Sequence, residues 1–245
     1  MNHSWQSAKS PGPLAVDVVH VWRVSLVADE KQCASLRQIL SPEEMLRAAG
    51  FKFEVDRRRF IVAHGSLRLL LSGYLHALPE RLVLVTDLLG KPRLADQTDG
   101  PIRFNLSRSG EMALYAFAQG HEVGVDVEQI RPNADELAIA RRMFTPDEAR
   151  RLETLQGDER TAAFFNSWTR LEALAKASGR GLSSISHGEF SLPPEAGGAG
   201  MGTARDNSGD VAAWQIISLQ PGSGYAGAVA AEGTAWKIQC LDWLP

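Results

Sequence analysis

The same helix-start signal occurs twice in this chain, 104 positions apart. Ser41-Pro42-Glu43-Glu44 and Thr145-Pro146-Asp147-Glu148 each put a hydroxyl at the N-cap, a proline at the first helical position and a glutamate where it closes a capping box. A long amphipathic stretch follows each signal, over roughly 56–78 and 159–178. Phe60 and Phe164 are also 104 positions apart, and at that offset Leu67 falls on Leu171 and Leu70 on Leu174. One long helix with a few strands cannot bury its own faces, so two such units must pack together. The expected fold is α+β: two pseudo-symmetric halves, each a long helix on a small, mostly antiparallel sheet, meeting near residue 120. A site is expected at their interface, where clefts form. Chance matching of two generic amphipathic helices is the alternative.

Short β-like runs supply the sheets. They are VDVVHVWRVSL (16–26), LVLVT (82–86), IRFNLS (102–107), ALYAFA (113–118) and EVGVDVE (122–128), then ISHGEFSL (185–192), AAWQIISL (212–219), YAGAVAA (225–231) and WKIQCLDW (236–243). The domain reading is a loose tail at 1–13, an N-terminal half at 14–120 and a C-terminal half at 121–245. Residues 193–210 are read as a mobile Gly-rich loop.

Of the 245 residues, 44% are hydrophobic and 22% charged, as in a soluble globular protein. The net charge of −3 gives no global basic field for nucleic acid or an anionic membrane. Cys33 and Cys240 have neither disulfide-framework nor metal spacing. With no basic-then-apolar leader and no spanning run, a cytoplasmic protein is expected. A chain that builds its interface site alone is expected to be a monomer.

Two stretches carry chemistry. In WTRLEALAK (168–176), Glu172 and Lys176 stand at i,i+4. Such a pair is most often a surface ion pair worth ~0.2–0.5 kcal/mol. The repeat does not explain it, since Arg68 and Ser72 occupy the matching places. In GVDVEQIRP (124–132), strand alternation puts Asp126 and Glu128 on one face and Val125 and Val127 on the other. A solvated strand face is one reading. A hard divalent cation neutralising both carboxylates is the other. Asp126, Glu128 and Glu172 together would make a three-carboxylate Mg²⁺ site, with Lys176 facing the phosphates of a ligand.

These motifs, in this order, resemble the 4′-phosphopantetheinyl transferases of the longer, surfactin-synthetase-activating type. The carriers of the resemblance are Gly124-Val125-Asp126-Val127-Glu128, Trp168 to Lys176, and Gly179-Arg180-Gly181-Leu182, with Arg59, Gly90-Lys91-Pro92 and Asn105-Leu106-Ser107-Arg108-Ser109 upstream. The likeness spans about Ser41 to Leu192. It implies transfer of phosphopantetheine from coenzyme A to a serine of an apo acyl or peptidyl carrier protein, with release of adenosine 3′,5′-bisphosphate. It also implies Mg²⁺ on Asp126, Glu128 and Glu172. Glu172, directly or through water, is the implied base, and Lys176 with Ser107 and Arg108 the phosphate contacts. Lys91 and Pro92 would lie along the adenine, and Arg59 and Arg47 at the ribose 3′-phosphate.

Three positions depart from the family pattern. Arg108 stands for a histidine; it binds phosphate but is no acid or base at neutral pH. Leu171 stands for a lysine and follows the apolar register, so it is expected to pack, with Arg170 the nearest substitute. Glu44 stands where some members have a phosphate-binding lysine. These departures leave a coenzyme A-binding relative without transfer as the alternative. Another Mg²⁺ enzyme, such as a phosphodiesterase, is a third reading. His64 is expected to be a packed or capping residue.

Overall fold

The computed structural model describes residues 4–87, 90–95, 102–132, 135–182, 199–205 and 211–244. In chain order the elements are β1 (Gln6–Ala8), β2 (Val18–Ser25), α1 (Glu30–Gln38), α2 (Pro42–Ala49), α3 (Glu54–Leu75), β3 (Leu84–Thr86), β4 (Pro92–Leu94), β5 (Ile102–Ser109), β6 (Met112–Gln119) and β7 (Val123–Gln129). They continue with α4 (Glu136–Met143), α5 (Pro146–Thr154), α6 (Gly157–Ser178), β8 (Ala199–Arg205), β9 (Val211–Leu219), β10 (Tyr225–Glu232) and β11 (Lys237–Trp243). Both expected capping boxes form, with Ser41 and Thr145 as N-caps of α2 and α5. The two long helices, α3 and α6, have 22 residues each. Gly179 ends α6 in the left-handed conformation at φ 70°.

One sheet has the order β1-β11-β2-β6-β5 and a second β7-β10-β9-β8, with β3-β4 a separate hairpin. Side-chain alternation stacks these into four layers. On β6, Ala113, Tyr115 and Phe117 join Trp22 and Val24 against Leu67, Leu70 and Leu71 of α3. The opposite face of β6, Leu114, Ala116 and Ala118, meets Val123, Val125, Val127 and Val229 of the second sheet. The far face of that sheet, with Trp214, Ile216, Ala228 and Ala230, packs on Phe164, Leu171 and Leu174 of α6. The layers therefore run α3, first sheet, second sheet, α6, an α+β fold. Central strands are covered on both faces, so ALYAFA and YAGAVAA are apolar at every position. Each fully buried leucine contributes about 1.5–3 kcal/mol.

Three segments join sheets in ways the sequence reading does not anticipate. The tail is not loose throughout: Gln6–Ala8 pairs in parallel with Leu241–Trp243. Trp5 Nε1 donates to the Gln220 carbonyl at 2.8 Å, and Pro11 lies against Gly73 of α3. A three-residue strand has no readable period; the open edge of β11 recruits it. The boundary at 120 does not separate the two sheets either, because β11 lies between β1 and β2 of the first sheet, parallel to both. Within 193–210, read as a loop, Ala199–Arg205 pairs with β9 as a strand. Glycine and alanine there hide the β signal, and ladder hydrogen bonds, not side chains, define the strand. The strand expected at 185–192 lies outside the described residues.

Candidate active site

The site sits where edge strand β5 of one sheet meets edge strand β7 of the other. Alternate β5 side chains stitch the seam. Asn105 Oδ1 accepts from Val125 N at 2.9 Å, Ser107 Oγ donates to Asp126 Oδ1 at 2.7 Å, and Ser109 Oγ donates to Glu128 Oε2 at 2.7 Å. Ser109 Oγ also accepts from Gln129 N at 3.1 Å. Side chains here do what backbone ladders do elsewhere, and they fix the two β7 carboxylates.

The other face of the site is α6. Gly124, Asp126 and Glu128 share the face of β7 that looks at this helix. A Cβ on Gly124 would lie 2.1 Å from the Ala173 carbonyl oxygen and 2.4 Å from Ala177 N. The helix backbone therefore rests directly on the strand, which brings Lys176 to Asp126. Lys176 Nζ donates to Asp126 Oδ1 at 2.6 Å, to Ser107 Oγ at 3.1 Å and to the Val125 carbonyl at 3.5 Å. The partner of Lys176 is thus Asp126 across the seam, not the i,i+4 Glu172.

Electrostatics show that the three carboxylates act on one another. Burial raises the Glu172 carboxyl to about 7; Lys176 opposes this, and Asp126 and Glu128 add to it. Burial also raises Glu128; the Ser109 hydrogen bond opposes it and the charge on Asp126 adds to it. Asp126 is 2% exposed, and its Oδ2 is buried without a hydrogen-bond partner.

Glu172 and Lys176 open onto a cleft of about 300 Å³ that Lys91, Pro92, Gly181 and Leu182 also line. The motifs at 90–92, 168–176 and 179–182 thus line one space. The Lys91 ammonium is turned onto protein acceptors, Glu122 Oε2 at 3.0 Å, the Val123 carbonyl at 3.2 Å and the Lys176 carbonyl at 3.0 Å.

The expected phosphate contacts are spread more widely. Ser107 joins the carboxylates, whereas Arg108, the next residue, stands over Phe51 and Phe60 at 5.9 and 6.0 Å. Arg47 lies over the same Phe60 ring at 5.3 Å, so Arg47 and Arg108 share one aromatic platform. Arg59 pairs with Glu111 at 3.3 Å.

Glu44 does not take a lysine's place on this platform; it is buried beneath it. Glu44 accepts from Arg68 Nε at 2.6 Å and from Ser41 N at 2.9 Å, and bonds His64 Nδ1 at 3.0 Å. His64 stacks on Phe60 with centroids 4.0 Å apart, the packed role expected of it. Sequence reading missed this network, although Glu44, His64 and Arg68 have the spacing of a capping residue facing one helix stripe. Burial works to raise the Glu44 carboxyl, but the His64, Ser41 and Arg68 hydrogen bonds win and hold it at about 2, below the ordinary 4.5. Its stabilising contribution is therefore full above about pH 4.5 and is lost as pH falls toward 2. Replacing Glu44 by alanine strands the guanidinium of Arg68, which is 1% exposed, with only the Pro79 and Leu82 carbonyls. Glu44→Ala is expected to cost about 3–5 kcal/mol in urea denaturation at neutral pH.

Leu171 packs as its register predicts, 1% exposed in the core between α6 and the second sheet. Arg170 is 3% exposed, so it does not present a surface cation in place of the family's lysine. Leu171→Lys would drive an ammonium into that core. It is expected to lower stability by at least about 3 kcal/mol, seen as a lower melting temperature, instead of restoring function.

Among the described residues, no group of three or more His, Cys, Asp and Glu side chains is arranged as a preformed metal site. Lys176 supplies the positive charge at Asp126. The donor set still suits a hard cation: Asp126 Oδ2 is a buried acceptor without a partner, and two neighbouring carboxyls resist ionisation. No helix among the described residues is long and apolar enough to cross a membrane.

A family model described as the 4′-phosphopantetheinyl transferase superfamily matches residues 122–230, which include β7, α6 and the seam. The 4′-phosphopantetheinyl transferase HetI of Nostoc sp. is 34% identical over 238 residues, 97% of each chain. The 4′-phosphopantetheinyl transferase psf-1 of Bacillus pumilus is 34% identical over 154 residues, covering 62% of this chain and 64% of its own. AcpT of Salmonella typhimurium, also a 4′-phosphopantetheinyl transferase, is 36% identical over 126 residues, 51% and 63% of the two chains. With a relative at that identity along nearly its whole length, and with Asp126, Glu128, Glu172 and Lys176 gathered at one seam, this chain belongs to the 4′-phosphopantetheinyl transferase superfamily.

Proposed function

We propose that the enzyme takes its phosphopantetheine from coenzyme A and places it on a serine of an apo acyl or peptidyl carrier protein, releasing adenosine 3′,5′-bisphosphate. The reading is supported above all by the buried, unpartnered Asp126 Oδ2, whose carboxylate pairs with Lys176, a residue that with Glu172, Lys91 and Pro92 lines one cleft. Asp126, Glu128 and Glu172 would hold Mg²⁺. When bound, the ion supplies charge to the pyrophosphate and to the leaving bisphosphate.

The residues of this chain then position and neutralise, which is most of what phosphoryl transfer requires. Lys176 and Ser107 would meet the pyrophosphate from the floor of the seam. Arg108 and Arg47 would present a cationic platform to phosphate, with Arg59 at its edge. Lys91 and Pro92 would flank the adenine. Glu172, with its carboxyl raised to about 7, would take the serine proton directly or through a water. The serine oxygen forms its bond to phosphorus as the bond to the bisphosphate oxygen breaks. In this reading the protein acts as a cytoplasmic monomer.

The test mixes the protein with an apo carrier protein, coenzyme A and Mg²⁺. The intact carrier is expected to gain the mass of one phosphopantetheine. No gain on any of several fatty-acid, polyketide and peptide carriers would overturn the proposal.

A further inference from the structure

We infer that Lys91 is a positioning residue whose ammonium latches the two walls of the cleft together. A lysine has three N–H donors. All three are used within the protein, on Glu122 Oε2 at 3.0 Å, the Val123 carbonyl at 3.2 Å and the Lys176 carbonyl at 3.0 Å. No donor is left for a phosphate or a base. What Lys91 turns to the cleft is its stem and backbone, next to the Pro92 ring.

The three acceptors belong to two elements, the start of β7 and the end of α6. Glu122 and Val123 open β7, the strand that carries Asp126 and Glu128. The Lys176 carbonyl lies in the last turn of α6, where carbonyls lack helical partners and favour a cation. Lys91 itself follows Gly90, at φ 85°, in the turn of the β3-β4 hairpin, held by Asp87 Oδ1 at 2.8 Å from Lys91 N. That hairpin has only three residue pairs, too few to hold its place unaided. Lys176 is thereby gripped at both ends: its carbonyl by Lys91, its ammonium by Asp126 at 2.6 Å. Loss of the latch frees the hairpin and loosens the turn that aims Lys176. Glu122 also pairs with Arg103 at 3.4 Å, so its one negative charge is divided between two cations.

The test uses Lys91→Met and Lys91→Arg in the full chain. In Lys91→Met, amide hydrogen exchange is expected to speed up by at least about 10-fold at Leu84–Thr86 and in the last turn of α6, with Leu67–Leu71 of α3 unchanged. Lys91→Arg keeps the charge and is expected to restore slow exchange. Unchanged exchange in both segments of Lys91→Met would overturn the latch. The functional readout rests on the transfer reading above. KM for coenzyme A is expected to rise by about 10-fold, with KM for the carrier unmoved. Faster exchange with unaltered coenzyme A kinetics would overturn the positioning role. If the wild-type protein transferred nothing, that would count against the transfer reading alone, since the exchange comparison needs no substrate.

Discussion

Asp126→Ala is expected to lower the transfer rate by roughly 10³-fold while the protein stays folded. The carboxylate has two jobs. Its Oδ1 fixes Lys176 and Ser107, and its Oδ2 is the buried acceptor without a partner. The stability cost is smaller than for a fully buried pair, because the Lys176 side chain is 29% exposed and can turn to water. Asp126→Asn keeps the shape and removes the charge, so it is expected to lose activity almost as fully. The checks are the transfer rate with a responsive carrier and a thermal melt of each variant. Activity close to wild type would remove Asp126 from the ligand set.

Gly124→Ala is expected to be nearly as damaging by a different route. The new Cβ would meet backbone atoms, Ala173 O and Ala177 N, and no rotamer change relieves that. Either α6 retreats from β7 or the strand bends. Overpacking of this kind costs about 1–3 kcal/mol, and a 1 Å displacement of reacting groups can cost about 10²-fold in rate. Both effects are expected together: a lower melting point, and a fall in kcat with the helix that carries Glu172 and Lys176 lifted off Asp126. An alanine variant with wild-type stability and rate would show that the close helix–strand contact is not required.

Much of this site was legible before any coordinates. Proline after an N-cap hydroxyl, with glutamate two residues later, marks a helix start by local hydrogen bonding alone, and both starts formed. Asp126 and Glu128 were readable as one face because strand alternation is strict. What escaped depended on distant partners. The sequence sets Lys176 facing ligand phosphates one turn from Glu172; that its ammonium meets Asp126 depends on packing against β7. The hydrogen-bond acceptors of Lys91 come from 31 to 85 residues away in sequence, beyond the reach of local pattern. Glu44 looked like a lost phosphate contact until Arg68 and His64 closed over it. The polar run Asn105, Ser107, Ser109 carried a period-2 signal that could have announced the seam. Leu171, by contrast, was legible: its apolar register predicts a core residue, and it is one.

The place of β11 bears on how the chain is made. Lys237–Trp243 is synthesised after every other described strand, yet it fills the gap between β1 and β2. The Arg23–Asp242 ion pair that accompanies it joins residues 219 positions apart. Until β11 arrives, β1 has no neighbour and β2 has a bare edge, so the first sheet stays incomplete however early its other strands emerge. Closing so long a loop is entropically costly and slow, and an open edge awaiting its partner invites pairing with other chains. Fusions or truncations near residue 240 are therefore expected to harm yield and solubility far more than their distance from the cleft implies.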